Sequence, residues 1–139
     1  MVGTAFDYLR FCQMILNKGQ WNGVRLLAPK TVELMTRNHL NGGDGDIASM
    51  GHTRFLNVNR HGQGFGLGFS VVVDLVKLQT IGSEGELAWG GVASTAFMID
   101  PKEQMALVFM TQLVPSSTYN IRCELRTLLY QALVDPEQK

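Results

Sequence analysis

Glu86-Leu87-Ala88-Trp89-Gly90-Gly91-Val92-Ala93-Ser94-Thr95-Ala96-Phe97-Met98-Ile99-Asp100-Pro101 is the stretch on which the reading of this chain turns. It sets small residues after a bulky tryptophan, continues as an apolar strand and stops at an Asp-Pro turn. Two adjacent glycines inside a strand lose much backbone entropy and pack nothing. Such glycines mark a bulge, or a place where a ligand or another backbone comes close. In the first reading Trp89 is scaffold and packs into the core. In the second it lies at the rim of a cleft, an aromatic wall beside open backbone, the mix that small-molecule sites use.

Working outward, Asp100-Pro101-Lys102-Glu103 is a turn with proline at its second position. Met105 to Thr111 returns as the next strand. Phe97 to Ile99 and Ala106 to Met110 are apolar on both faces, as in strands covered on both sides. Upstream, Phe65 to Asp74 reads as one strand with Phe65, Leu67 and Phe69 sharing a face by the period of two.

Thr4 to Leu16 is predicted as a helix, with Thr4 as N-cap, Asp7 at the third position and Lys18-Gly19 ending it. Its apolar side is Ala5, Tyr8, Leu9, Cys12, Ile15 and Leu16. Trp21-Asn22-Gly23-Val24 is a tight turn of the type that needs two positive φ angles, and Arg25-Leu26-Leu27 continues it in extended form. Pro29 opens a second helix that fades near Asn38. His39 to Gln63 is a long polar, glycine-rich loop. Pro115-Ser116-Ser117 is predicted to start the last helix, whose apolar face is Ile121, Leu125, Leu128, Leu129, Ala132 and Leu133. The order helix, helix, strand, strand, strand, helix predicts an α+β fold: an antiparallel sheet of three or more strands with flanking helices, one domain over residues 1–139.

Composition narrows the function. Twelve basic residues balance twelve acidic ones in 139 residues, so the positive field that nucleic acid or an anionic membrane requires is missing. No apolar run approaches the ~20 residues of a membrane helix. The N-terminus lacks the charged-then-apolar layout of a signal peptide, and the expected compartment is the cytoplasm. Cys12 and Cys123 lie far apart, both in predicted helices, and read as buried thiols rather than a disulfide.

Several patterns resemble sites without meeting their requirements. Gly64-Phe65-Gly66-Leu67-Gly68 has the look of a dinucleotide fingerprint, but that motif must follow a strand and open a helix, and Val71-Val72-Val73 continues a strand. His39, His52 and His61 share a loop with Asp44 and Asp46, at spacings that match no compact metal motif. No metal and no cofactor are expected. Ser94 is not in a G-x-S-x-G elbow and has no adjacent base, so it reads as an ordinary serine.

Trp89-Gly90-Gly91, the apolar strand after it, Asp100-Pro101 and the strand ending Phe109-Met110-Thr111-Gln112 together resemble the C-terminal part of the serine β-lactamase and penicillin-binding superfamily. The class C β-lactamases and the family VIII carboxylesterases are the most similar branches. Phe65-Gly66-Leu67-Gly68-Phe69, the helix entry Gly3 to Phe11 and Asn22-Gly23-Val24-Arg25-Leu26-Leu27-Ala28-Pro29 resemble the same proteins, in the same order. The resemblance implies the C-terminal part of the β-lactamase-like α/β domain. Lactamases usually carry Lys-Thr-Gly where this chain has Trp89-Gly90-Gly91, and the esterases often carry Trp-Gly-Gly. It implies that Trp89, Gly90 and Gly91 border the substrate, an ester or β-lactam, and that the Val92 backbone N–H is one oxyanion-hole donor. It also implies a parent family that is often periplasmic or secreted.

The chain departs from the family at its nucleophile. The family serine lies in Ser-x-x-Lys, where the lysine activates it, and this chain has no such motif. Ser49, Ser70, Ser83, Ser94, Ser116 and Ser117 are followed three places on by His52, Val73, Glu86, Phe97, Tyr119 and Asn120. Nor do Tyr8, Tyr119 and Tyr130 form Tyr-x-Asn. The expectation is a truncated or split serine hydrolase domain, working with a complementing N-terminal half or associating as a homo-oligomer through the Met105–Thr111 edge. The alternative is a non-catalytic binding or structural module derived from the same fold.

Overall fold

A five-residue turn divides what the sequence reads as one strand. In the computed structural model, which describes residues 3–43, 45–50, 61–116 and 118–133, the stretch from Glu86 is an antiparallel hairpin. Numbering elements in chain order, its arms are β5 (Leu87–Gly90) and β6 (Ala96–Asp100). Gly90 pairs with Ala96, and the Gly91 N–H donates to the Thr95 carbonyl at 3.0 Å. The continuous apolar strand expected here is therefore corrected. Ser94 takes positive φ, and Val92 to Thr95 make the reversal.

The same correction applies upstream. Phe65 to Asp74 is not one strand but the later part of a hairpin, β3 (Gln63–Phe65) and β4 (Ser70–Val72). Phe69 is buried and Leu67 is half exposed, so the two do not share an environment. The cause is a close approach. The Leu67 N–H donates to the Met35 carbonyl at 2.9 Å, and a Cβ on Gly66 would stand 2.3 Å from that oxygen. The chain bends there because glycine lets the end of the second helix come that near. A further element was not anticipated: α3 (Leu75–Leu78) follows β4, capped by the Asp74 side chain.

The remaining elements follow their local signals. α1 (Ala5–Leu16) is capped by Thr4, whose hydroxyl accepts the Asp7 N–H at 3.1 Å. Asn22 and Gly23 both take positive φ in the turn between β1 (Gln20–Trp21) and β2 (Val24–Arg25). α2 (Pro29–Met35) has proline in its first turn. Within the long loop, Ile47–Met50 is a short 3₁₀ turn, and Leu40–Gly43 is a kinked turn with Asn41 and Gly42 at positive φ.

The large sheet is an antiparallel meander in the order β3-β4-β5-β6-β7, with β7 spanning Met105–Phe109. The register pairs Leu87 with Ile99 and Ile99 with Ala106, and likewise Trp89 with Phe97 and Phe97 with Val108. By the two-residue period these side chains share one face. Cys12, Met14 and Ile15 of α1, with Val32, Phe69 and Val71, complete the core on that side. Tyr8 keeps part of its surface exposed while its ring meets Phe97 at 5.0 Å.

The opposite face, with Ala88, Gly90, Ala96, Met98 and Leu107, lies toward α4 (Ile121–Gln131). This helix starts six residues later than Pro115 suggested. The Pro115 carbonyl instead accepts the Thr118 N–H and hydroxyl in an isolated turn. Its orientation also differs from the apolar face expected: Leu128 is 62% exposed, while Arg122, Arg126 and Tyr130, spaced at i, i+4 and i+8, reach the sheet.

Two substitutions test this orientation. Ile99→Ala, at a site with no exposed surface, is expected to cost ~3–4 kcal/mol through lost transfer energy and a cavity. Leu128→Ala is expected to stay within ~0.5 kcal/mol of the parent. Urea unfolding of both variants beside the parent reads the difference. A comparable loss in Leu128→Ala would show that α4 buries its leucines.

Candidate functional site

The site implied for Trp89, Gly90, Gly91 and Val92 sits at the free end of the β5–β6 hairpin. Trp89 is half-buried against the core, with its ring edge-to-face with Phe65 at 4.8 Å between centroids. Its position therefore combines the two readings: one side packs, the other lines a hollow of about 230 Å³ with Tyr8, Gly91, Thr95 and Met110. Val92 follows in the turn and is 69% exposed.

Gly90 lies beneath the Arg122 guanidinium. A Cβ there would meet Arg122 Nη2 and the Thr95 carbonyl, each at 2.5 Å. Arg122 Nη2 donates to the Gly91 carbonyl at 2.9 Å and to the Thr95 carbonyl at 3.2 Å. Close packing thus accounts for Gly90. At Gly91 the contact is with a side chain rather than backbone: a Cβ would meet the Thr95 hydroxyl at 2.7 Å.

Further along α4, Arg126 forms an ion pair with Glu86, and the Tyr130 hydroxyl lies within hydrogen-bond reach of both Glu86, at 3.0 Å, and Asp100, with one proton to give. Glu86 and Asp100 have no exposed surface. Asp100 also caps its own turn, accepting the N–H groups of Lys102 at 2.8 Å and Glu103 at 3.1 Å. Burial pushes the Glu86 carboxyl up to about 7, against the pull of Arg126 and Tyr130 and with a further push from Asp100. Burial and the neighbouring carboxylates hold the Tyr130 hydroxyl far above its ordinary value. Sequence reasoning did not find this network. Its signal was the polar spacing of 122, 126 and 130 on a helix read only for its leucines. Between this helix and the sheet runs a groove of about 540 Å³, floored by Ala88, Gly90, Ala96, Met98 and Leu107.

The other sequence candidates have partners of their own or lie elsewhere. Ser94 is buried and its hydroxyl donates to the Leu113 carbonyl at 2.7 Å, stitching the turn to the irregular segment that follows β7. His39 is bonded to the Leu34 carbonyl at 2.8 Å, and His61 lies 3.7 Å from Asp46. His52 and Asp44 lie outside the described residues, as does Ser117. No group of three metal-ligating side chains occurs among the described residues. Gly64 and Gly66 belong to a strand and the turn after it, and Asn38 uses the space above Gly64 to accept the Phe65 N–H at 3.1 Å. Cys12 is buried, with its thiol pushed up to about 11 by burial, and Cys123 is half-buried; both are free thiols. Among the described residues no helix is long and apolar enough to cross a membrane.

Against known structures, the chain superposes on EstCE1, described as a hydrolase with promiscuous acyltransferase activity. The TM-score is 0.70 at 24% identity, over 92% of this chain and 30% of that one. The fold is that of the β-lactamase-like hydrolases. The same likeness extends to the simvastatin synthase LovD of Aspergillus terreus, with a TM-score of 0.61 at 23% identity over 86% of this chain and 31% of that one. In sequence, the chain is 35% identical over 115 residues to Protein Rv1367c of Mycobacterium tuberculosis, covering 81% of this chain and 27% of that protein. The chain thus spans under a third of the length of each of these proteins. No protein-family model matches it.

Two measurements test the arrangement. Glu86 titrates higher in the folded chain, at about 7, than its ordinary 4.5. Between those values the folded chain holds more protons than the unfolded one, so stability falls as pH rises. The stability of the parent minus that of Glu86→Gln is therefore expected to decline from pH 5 to pH 7 and level off above. A flat difference would contradict the buried carboxyl. Trp89→Ala is expected to cost ~1–3 kcal/mol, for half-buried area and the Phe65 pair. A loss in thermal unfolding as large as that of Ile99→Ala would place Trp89 wholly in the core.

Proposed function

We propose that this chain is the substrate-edge segment of a β-lactamase-like serine hydrolase acting on esters or β-lactams. Trp89, Gly90 and Gly91 line the substrate, and Val92 supplies one backbone oxyanion donor. The observation that carries the reading is the hairpin end itself. Gly91 is small without a backbone contact requiring it, and Val92 stands exposed in the turn beside it. Tryptophan in place of the lactamase lysine favours esters.

Covalent acyl transfer needs an activated nucleophile, and this chain carries no Ser-x-x-Lys. The serine and lysine belong, in this reading, to a segment matching the rest of the relatives' length. β7 closes one end of the sheet order, so its outer edge is unpaired among the described strands. All five of its residues are apolar, with none of the charges or prolines that blunt an edge. In the isolated chain this edge pairs with a second copy; the preceding segment displaces it.

Three outcomes are expected. The purified chain does not turn over a generic ester or a chromogenic β-lactam, and no serine is labelled stoichiometrically by a fluorophosphonate. Burst kinetics from the chain alone would overturn the reading. When the preceding segment is added, turnover appears, and Val92→Pro, which removes the donor N–H, lowers kcat about a hundredfold to a thousandfold. Sedimentation at micromolar concentration finds a homodimer; a sharp monomer would contradict the edge pairing.

A further inference from the structure

We propose that Arg122 is a positioning residue for the Val92 amide, acting through the peptide that joins Gly91 to Val92. The inference rests on the donor reading of Val92 given above.

The Gly91 carbonyl and the Val92 N–H belong to one planar, trans peptide unit. In such a unit the two groups point in opposite directions. Arg122 Nη2 donates to the Gly91 carbonyl at 2.9 Å from the α4 side, so it directs the Val92 N–H away from α4. The same nitrogen takes the Thr95 carbonyl at 3.2 Å, which closes the far end of the turn. Both carbonyls already accept bonds from within the turn: Gly91 from the Ser94 N–H at 3.2 Å, Thr95 from the Gly91 N–H at 3.0 Å. The guanidinium therefore ties together the two oxygens on which the turn's own closure depends.

Its charge adds a second effect. A cation on a peptide oxygen polarises the unit and strengthens the N–H as a donor. No carboxylate pairs with Arg122 among the described residues, and its Nε is buried without a partner. A charged group held in this way is costly to keep as packing alone. Gly90 clears its seat, since any Cβ would collide with Nη2. The helix thus reaches across the sheet with one side chain to fix one peptide plane.

The test uses the isotope-labelled chain, needs no catalysis, and compares the parent with Arg122→Ala and Arg122→Lys. In Arg122→Ala, the Gly91 and Ser94 amides are expected to exchange about tenfold faster, as the loss of a charge-assisted hydrogen bond predicts. The Val92 amide proton is expected to move upfield, while Leu87 and Ile99 keep their exchange rates. Added guanidinium ion restores both signals, and ammonium at the same concentration does not; Arg122→Lys falls between. Unchanged signals at residues 91–94 overturn the proposal, and so does equal acceleration at Leu87 and Ile99. If Arg122→Ala does not fold, Arg122→Lys is judged by the same criteria. With the preceding segment added, turnover lost in Val92→Pro but kept in Arg122→Ala also overturns it. Turnover kept in both variants overturns the donor reading of Val92, while the exchange result still decides whether Arg122 holds the turn.

Discussion

The buried contact of Arg126 and Tyr130 with Glu86 and Asp100 is the constraint on which the architecture of this chain depends. α4 does not bury the whole of its apolar face; Leu128 faces solvent, and Leu125 lines the groove of about 540 Å³ between helix and strands. What holds the helix is a set of long polar side chains that cross the gap. Removing two carboxylates from water costs several kcal/mol per ion unless their lone pairs are satisfied. Here Glu86 receives Arg126, Asp100 receives two turn amides, and the Tyr130 hydroxyl bridges the two carboxylates. Glu86 and Asp100 flank the β5–β6 hairpin at its open base, where β5 begins and β6 ends. The helix is thereby fixed at one end of the hairpin, and its first turn arrives over the other end.

That geometry explains why part of the fold was legible in the sequence and part was not. Signals that act within a few residues were read correctly: Thr4 with Asp7 at the helix start, Asn22-Gly23 in the first turn, Pro29 opening α2. An antiparallel sheet of three or more strands followed from the apolar runs, and five strands are present. The errors share one cause. In both places where a single strand was read, a backbone reversal depends on a partner distant in sequence. Gly66 bends because Met35 lies against it, and the turn after Gly90 closes under Arg122. Apolar periodicity cannot reveal such partners. It misled again on α4, where the leucines suggested a buried face but the arginines and tyrosine supply the attachment.

The residues of the candidate site come from resemblance, and their surroundings could not be read from the sequence. Trp89, Gly90, Gly91 and Val92 were singled out by resemblance, and the hairpin does bring them to a common end. Arg122, 31 positions from Gly91, had no motif to announce it. Ser94 illustrates the reverse case. Its small hydroxyl beside the glycines invites a catalytic role, yet it is buried, takes positive φ and donates to Leu113. Those features suit a residue that locks a turn to the segment after β7.

The two adjacent glycines invite one explanation, but their surroundings require two. At Gly90 a side chain would strike a backbone carbonyl and a guanidinium, neither of which can give way without opening the turn. Its smallness is a condition of the fold. At Gly91 a side chain would strike only the Thr95 hydroxyl, which a rotamer change can move aside. Packing inside the chain therefore leaves the smallness of Gly91 without a backbone cause. The proposed function supplies a further cause, a ligand that passes over it from outside. A substrate laid along the end of β5, with Trp89 as its wall and the Val92 N–H at its carbonyl, would need that clearance at the second glycine and not at the first.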